Sequence, residues 1–304
     1  MTTRNISTRS DLAAEVFAVL RDEFFDENLE PKVFALRAKR NTQDDPLDEE
    51  LHRVLKRRLP RDVKCEKATG PLITPDMVVL RTAECVVTGK DRLMDASKKI
   101  IGIEVKKLER TAGKVARRTG MDYNTTPPCG TVRVYDKDGK AVNISGFYLF
   151  VCQEPVKRTP GKYVLSSLVL CDGNLLNEDF EYYKSIVGER SKKIGLGSYG
   201  DGADRCRPML IFANPLGCRE LECKPILVHK AERIACAAGI LVRIGTIKRT
   251  CRGGEIRTFY CYVCPGDYAA DNTAFDLVDP FPTPKRKRKT QPRGKFRLSI
   301  STAD

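Results

Sequence analysis

The chain has 304 residues, of which 41% are hydrophobic and 31% are charged, so it can bury an ample core and is not wholly disordered. No apolar run approaches the length of a membrane span, and the first twenty residues contain acids and lack the apolar core of a signal peptide, which excludes a membrane partner and predicts a cytoplasmic protein. The net charge of +14, from 54 Lys and Arg against 40 Asp and Glu, indicates a polyanionic partner and favours nucleic acid.

Two helices are predicted near the N-terminus. The first follows Ser10 or Asp11 as N-cap and runs to about Phe24, with apolar residues repeating on one face. The second spans 47–59 after Asp45 as N-cap and Pro46 as the first helical residue. Glu50 lies at the edge of its apolar stripe, where a carboxylate either finds a partner or simply reaches solvent.

Three strands are predicted next, over 62–68, 75–80 and 99–106, because short apolar and β-branched runs lie between turn residues. In the third, alternation places Glu104 and Lys106 on one face and Ile103 and Val105 on the other. If the second and third strands form a hairpin, Asp76 can reach Glu104. Two neighbouring carboxylates repel each other unless a cation lies between them, and a hard ion such as Mg²⁺ suits oxygen ligands.

Pro75-Asp76 and Glu104-Val105-Lys106 together resemble the motif of the PD-(D/E)xK nuclease superfamily, and in particular type II restriction endonucleases. The resemblance covers residues 45 to about 118 at the level of motifs. It implies an α/β fold with a central mixed sheet flanked by helices. It further implies that Asp76, Glu104 and the Val105 carbonyl bind Mg²⁺ and that Lys106 positions the attacking water. Glu50 is the position that could match an acid on the preceding helix; the alternative for the whole motif is a hairpin with a solvated charged face.

The region after the motif supplies candidate contacts to DNA. We predict a basic helix over 107–118, a recognition loop over 120–130, further strands that complete the sheet, and hairpins around 136–139 and 252–254. The glycine-rich stretch 194–202 lacks the Gly-Lys-Ser/Thr of a phosphate-binding loop, so no nucleotide cofactor is expected. The candidate DNA-binding residues are Lys107, Arg117, Arg118, Tyr123, Asn124, Arg205, Arg207, Lys285, Arg286, Lys287 and Arg288.

Twelve cysteines are present, and most lie in apolar runs, as Cys152 and Cys171 do. Such cysteines are typical of small buried side chains in a reducing compartment. Cys261 and Cys264 form the one CxxC pair, and with Cys218 and Cys223 they leave a four-cysteine zinc site open, although the spacing is loose.

The expected organisation is a single nuclease domain over 1–284 and a basic C-terminal tail over 285–304. Within the domain, 1–44 is a helical N-terminal part, 45–118 contains the catalytic motif, and 119–284 completes the sheet and contacts DNA. The run Lys285 to Lys289 indicates sequence-independent phosphate binding or a nuclear localisation signal in a eukaryotic cell.

The expected function is Mg²⁺-dependent hydrolysis of phosphodiester bonds in double-stranded DNA, by a homodimeric restriction enzyme of a prokaryotic cytoplasm. The dimer follows from the need for two such sites to cut both strands. Two alternatives stay open: a nuclease of the same core that repairs or processes nucleic acid by its structure, and a basic DNA-binding protein without catalytic activity.

Overall fold

The computed structural model describes residues 10–41, 44–70, 73–82, 87–88, 90–109, 130–175, 225–250, 255–267, 273–275 and 294–299. Its helices are α1 (Leu12–Phe24), α2 (Pro46–Arg58) and the short α3 (Leu93–Ala96). In the described part of the chain, no helix combines the length and the apolar character needed to cross a bilayer.

The first two helices begin where the sequence predicts. The Asp11 carboxylate accepts a hydrogen bond of 2.8 Å from the Ala13 N–H, and the Asp45 carboxylate accepts one of 3.0 Å from the Leu47 N–H. Such N-caps satisfy amide groups that have no partner within the helix. Both helices pack their apolar stripes against the sheet, through Val16 and Leu20 in α1 and through Leu51 in α2.

Most of the described chain is β-structure. The strands are β1 (Phe34–Ala35), β2 (Val63–Lys67), β3 (Ile73–Thr74), β4 (Met77–Arg81), β5 (Ile100–Glu109), β6 (Thr131–Tyr135), β7 (Ala141–Pro155), β8 (Lys162–Asp172), β9 (Pro225–His229), β10 (Ala235–Cys236), β11 (Gly239–Ile240), β12 (Val242–Thr250), β13 (Ile256–Val263), β14 (Thr273–Phe275) and β15 (Gly294–Lys295).

Eleven of the described strands form one mixed sheet with the order β14-β12-β13-β9-β8-β7-β5-β4-β2, while β1 pairs with β8 and β6 pairs with β7. The pairs β5/β7, β8/β9 and β12/β14 are parallel, and the other pairs in the sheet are antiparallel. The predicted mixed sheet flanked by helices is therefore confirmed. The adjacent antiparallel pairing of β4 and β5, on which the meeting of Asp76 and Glu104 depends, is present. The hairpin predicted at Asp138-Gly139 is confirmed, since a turn there joins β6 to β7.

The two faces of the sheet around β4 and β5 bury different apolar clusters. On the helical face, Met77, Val79 and Ile103 pack with α1 and α2. On the opposite face, Val78 and Leu80 pack with side chains from β6 and β7. Because side chains alternate along a strand, each strand contributes to both clusters.

A segment close to the C-terminus completes the second face. β15 pairs in parallel with β3, and the side chains of Phe296 and Leu298 are buried in the cluster that contains Val78. The Tyr135 N–H donates to the Phe296 carbonyl at 2.7 Å, and the Leu298 N–H donates to the Tyr135 carbonyl at 2.7 Å. Residues 294–299, predicted as part of a basic tail, are thus packed into the domain, and the run at 285–289 lies outside the described residues.

The segment after the motif differs from its prediction. Residues 107–109 were predicted to begin a basic helix, but they are the last residues of β5, paired with 151–153 of β7. The remainder of that predicted helix, residues 120–129 of the predicted loop and the glycine-rich stretch at 194–202 lie outside the described residues.

Candidate active site

The pairing of β4 with β5 places Asp76 opposite Glu104. Met77 is paired with Ile103 in antiparallel register. One step beyond this pair, Asp76 on the β4 side therefore faces Glu104 on β5. Directly opposite residues of an antiparallel pair have Cβ atoms about 5 Å apart. The Val105 N–H donates a hydrogen bond of 2.7 Å to Asp76 Oδ2, which fixes the carboxylate against the middle of β5. The sequence prediction that these two acids meet is consistent with this register.

Glu104 and Lys106 lie on one face of β5, as the alternation predicts. The Lys106 ammonium is 3.0 Å from Glu104 Oε1, and the Glu104 side chain is buried. Ile103 is buried in the helical-face cluster, and Val105 packs against it. The two charged side chains are therefore held on the opposite face from the helices.

The Val105 carbonyl is directed toward the same site. The N–H and C=O groups of one strand residue point to the same edge of the strand. Since the Val105 N–H points to Asp76, its carbonyl points to that side too, beyond the end of the β4 ladder. Its part as the third oxygen ligand, which the sequence resemblance implies, stays a prediction.

A glycine supports the turn that carries Asp76. A Cβ atom built on Gly102 would lie 2.5 Å from Val132 Cγ2 and 3.0 Å from Pro75 Cγ. Real Cβ atoms do not approach other atoms this closely, so a side chain at this position would push Pro75 away. Gly102 therefore permits the close contact between β5 and the turn that precedes β4.

The acid from α2 that faces this site is Asp48. Glu50, the predicted position, instead pairs with Arg53 on the same helix, with Oε2 accepting from the Arg53 Nε–H at 2.9 Å. Asp48 lines a cleft together with Asp76, and its charge influences that of Asp76. The signal in the sequence was the position of Asp48 in the first turn, three residues after the N-cap, which places it at the end of α2 nearest the motif.

The pKa values of two acids are raised. Burial raises the pKa of Asp76 well above its usual 3.8, and the charges of Glu104 and Asp48 add to this effect. Burial raises the pKa of Asp48 to about 7, with a further contribution from Asp45, while Lys67 and Lys107 oppose it. The cause in both cases is that several carboxylates share a partly dehydrated space. A cation bound among them would relieve this repulsion.

The cleft has a volume of about 580 Å³ and opens between the segment before α2, the end of β2 and the residues before β4. Asp48 and Asp76 contribute to its wall, so a ligand in the cleft would contact both carboxylates. The remaining lining residues are Arg40, Asn41, Asp44, Asp45, Lys67, Ala68, Thr69, Gly70 and Ile73. The cleft is thus polar and charged at the position where the motif acids lie.

Lys107 has a different environment from the one predicted. It was predicted to contact DNA from a helix, but it lies on β5 and its ammonium is 2.7 Å from Asp45 Oδ2. Asp45 is also the N-cap of α2. The ion pair therefore ties the motif strand to the helix that carries Asp48, and the side chain of Lys107 is only 13% exposed.

The other candidate DNA-binding residues lie outside the described residues. They are Arg117, Arg118, Tyr123, Asn124, Arg205, Arg207, Lys285, Arg286, Lys287 and Arg288. Of the cysteines in the zinc alternative, Cys261 and Cys264 are buried and form no disulfide with another described residue, while Cys218 and Cys223 are also outside the described ranges.

The donor set suits a hard ion that is completed by substrate and water. In the described part of the chain, no three His, Cys, Asp or Glu side chains are placed to hold a metal by themselves. Mg²⁺ commonly binds through one or two carboxylates, with waters and substrate phosphates as its other ligands. Asp76 and Glu104, with repulsion that raises the pKa of Asp76, fit that pattern.

Comparison with known proteins adds no relative: no family model, no curated protein and no solved structure matches this chain.

Proposed function

We propose that this chain is a Mg²⁺-dependent endonuclease of the PD-(D/E)xK type that hydrolyses phosphodiester bonds in double-stranded DNA. The observation that carries the proposal is the convergence of Asp76, which directly precedes β4, with Glu104 and Lys106 in the middle of β5. Asp76 and Glu104 concentrate negative charge at this hairpin, whereas the chain as a whole has a net charge of +14. That distribution suits a site that binds a metal ion and a surface that binds a polyanion.

Each residue has a definite part in the proposed reaction. Asp76, Glu104 and the Val105 carbonyl would hold the ion, and Lys106 orients a water molecule and favours its deprotonation. This water loses a proton to bulk solvent as its oxygen bonds to phosphorus, the bond from phosphorus to the leaving oxygen breaks, and a proton from solvent neutralises the leaving oxygen. A Mg²⁺ ion supplies electrostatic stabilisation of the charge that develops on the phosphate. Asp48 adds a third acid at the cleft, in the part that the sequence resemblance gave to Glu50.

The test is cleavage of plasmid and phage DNA by the purified protein with Mg²⁺ and with EDTA. We expect discrete fragments with Mg²⁺, intact DNA with EDTA, and no cleavage by Asp76→Ala or Lys106→Ala. Asp95→Ala, at an exposed position of α3, is the matched control and should cut as the wild type does. Sequencing of the ends then gives the recognition site.

Other outcomes of this experiment separate the alternatives. A smear, or cutting confined to flaps and junctions, would favour a repair or processing nuclease of the same core. A wild type that binds DNA and never cuts it with Mg²⁺ would favour a non-catalytic DNA-binding protein. We also expect a homodimer, because cutting both strands requires two sites, and light scattering would measure the mass of the assembly.

A further inference from the structure

Two basic side chains that line the cleft, those of Arg40 and Lys67, differ from its other charged groups in their pairing. Asp44 is paired with Arg37 at 2.6 Å, and Asp45 is paired with Lys107 at 2.7 Å. Arg40 and Lys67 also line the cleft, and neither makes a direct ion pair in the part of the chain that the structure describes. The cleft therefore holds the metal-binding acids beside two positive groups that can accept an anionic ligand.

The position of Lys67 is fixed by the sheet. It is the last residue of β2 and is paired with Met77, the residue after Asp76. The Ala68 N–H donates a hydrogen bond of 2.9 Å to the Asp76 carbonyl, so the chain on both sides of these residues is held together. Lys67 lies on the same face of β2 as Val63 and Cys65, which are buried in the helical-face cluster. Lys67 is therefore the residue by which this edge strand reaches the cleft.

Arg40 comes from the segment before α2, which is braced against that helix. The Arg37 guanidinium binds Asp44 through two contacts of 2.6 Å and donates to Glu49 Oε2 at 2.7 Å. The Arg40 N–H also donates to Asp44 Oδ2, at 2.7 Å. Two backbone regions are therefore fixed by one guanidinium, and a pre-organised wall loses less entropy when a ligand binds.

We propose that Lys67 and Arg40 bind the phosphodiester backbone of duplex DNA on the two sides of the cleft, next to the bond that is cut. This proposal rests on the nuclease function proposed above and adds the residues that hold the substrate. Ammonium and guanidinium groups neutralise phosphates without reading bases, so these contacts set affinity and register but not sequence preference. Their location beside Asp48 and Asp76 brings a phosphate to the metal-binding acids despite the negative charge of those acids.

Salt dependence distinguishes a phosphate contact from a structural effect. Each phosphate neutralised on B-DNA contributes about 0.9 to the slope of log K against log salt concentration, because a counterion is released. The loss of one contact should therefore lower the slope by about one, whereas a distorted cleft would weaken binding without a defined change in slope.

The experiment measures binding of a fluorescent DNA duplex to the full chain in EDTA over a range of salt concentrations. The variants are Lys67→Ala and Arg40→Ala, with Lys64→Ala and Arg61→Ala as matched controls. Lys64 is exposed on the other face of β2, and Arg61 is exposed just before it, so each control removes the same charge away from the cleft. Lys67→Arg keeps the charge at the cleft and should keep the slope.

We expect the slope to fall by about one for each cleft variant and to stay unchanged for each control. If the wild type binds and cuts DNA but Lys67→Ala and Lys64→Ala have the same slope, the cleft contacts are refuted while the nuclease function stands. If the wild type neither binds nor cuts DNA, the function itself fails. A loss of cleavage by Lys67→Ala with an unchanged slope would also refute the phosphate contact, since the side chain would then act only through the acids.

Discussion

The two faces of the sheet around β4 and β5 serve the site in different ways. On the helical face, α2 brings Asp45 and Asp48, and the cleft opens beside them. On the opposite face, Glu104 and Lys106 are paired above an apolar cluster that Phe296 and Leu298 complete. Asp76, at the head of β4, is influenced by acids from both faces, Glu104 and Asp48. The motif strands therefore supply one side of the site, and α2, docked on the sheet, supplies the other.

The adjacent lysines of β5 separate the two faces most sharply. We expect Lys106→Ala to lower the cleavage rate about 10²-fold to 10⁴-fold, because it removes the group that positions the water. Lys107→Ala should lower the cleavage rate about 10-fold to 100-fold, because it removes the ion pair with Asp45 and a positive charge that opposes the raised pKa of Asp48, but no group that positions the water. Single-turnover cleavage rates with saturating protein measure both. Equal losses for the two variants would contradict different roles for the two faces.

The apolar cluster opposite the helices can be opened from the C-terminal side. Phe296→Ala removes a buried aromatic side chain and should lower the free energy of unfolding by about 3–5 kcal/mol. Denaturant unfolding measures this, and Arg297→Ala, at the exposed neighbouring position, is the control. A loss below about 1 kcal/mol would mean that residues 294–299 are not part of the folded domain.

Gly102 tests how closely the two strands of the motif must approach. In Gly102→Ala the new methyl group would displace Val132 or Pro75, at a cost of about 1–3 kcal/mol in stability. A shift of Pro75 moves Asp76, so cleavage should fall further than the stability loss explains. Val132→Ala combined with Gly102→Ala should restore part of the stability, because it makes room for the methyl group. Full cleavage activity in the single variant would contradict the close packing.

The raised pKa of Asp48, on the helical face, should make the stability of the chain depend on pH. The folded-state pKa of Asp48 is raised to about 7 from 3.8, so the folded chain holds a proton that the unfolded chain has released in this interval. The stability that Asp48 contributes at low pH is therefore lost as the pH rises from about 4 to about 7. In metal-free buffer, Asp48→Asn should gain melting temperature relative to the wild type between about pH 5 and about pH 8. Glu50→Gln is the control. A difference in melting temperature between Asp48→Asn and the wild type that does not change with pH would contradict a raised pKa of Asp48.

Local patterns were sufficient for α1, α2, β4 and the first part of β5, and for one face of the site, but not for residues 107–109. The alternation of β5 predicts that Glu104 and Lys106 share a face, and the Asp45-Pro46 pair predicts the start of α2. Asp48 could not be chosen over Glu50 in this way, because which acid faces the cleft depends on how α2 docks and on the Lys107–Asp45 pair, 62 residues apart in sequence. The pairing of β15 with β3 is likewise a contact between distant segments, with no local signal in a stretch dominated by Lys and Arg.

The central claim is that Asp76 and Glu104 share one divalent ion, and metal-induced stabilisation tests it most directly. A ligand that binds only the folded state raises the melting temperature, so Mg²⁺ or Mn²⁺ should raise the melting temperature of the wild-type chain, without DNA, above its value in EDTA. Asp76→Asn and Glu104→Gln should each abolish the rise, while Asp95→Asn should keep it. The account predicts that loss in both variants; a rise of the same size in the wild type and in both variants would contradict it.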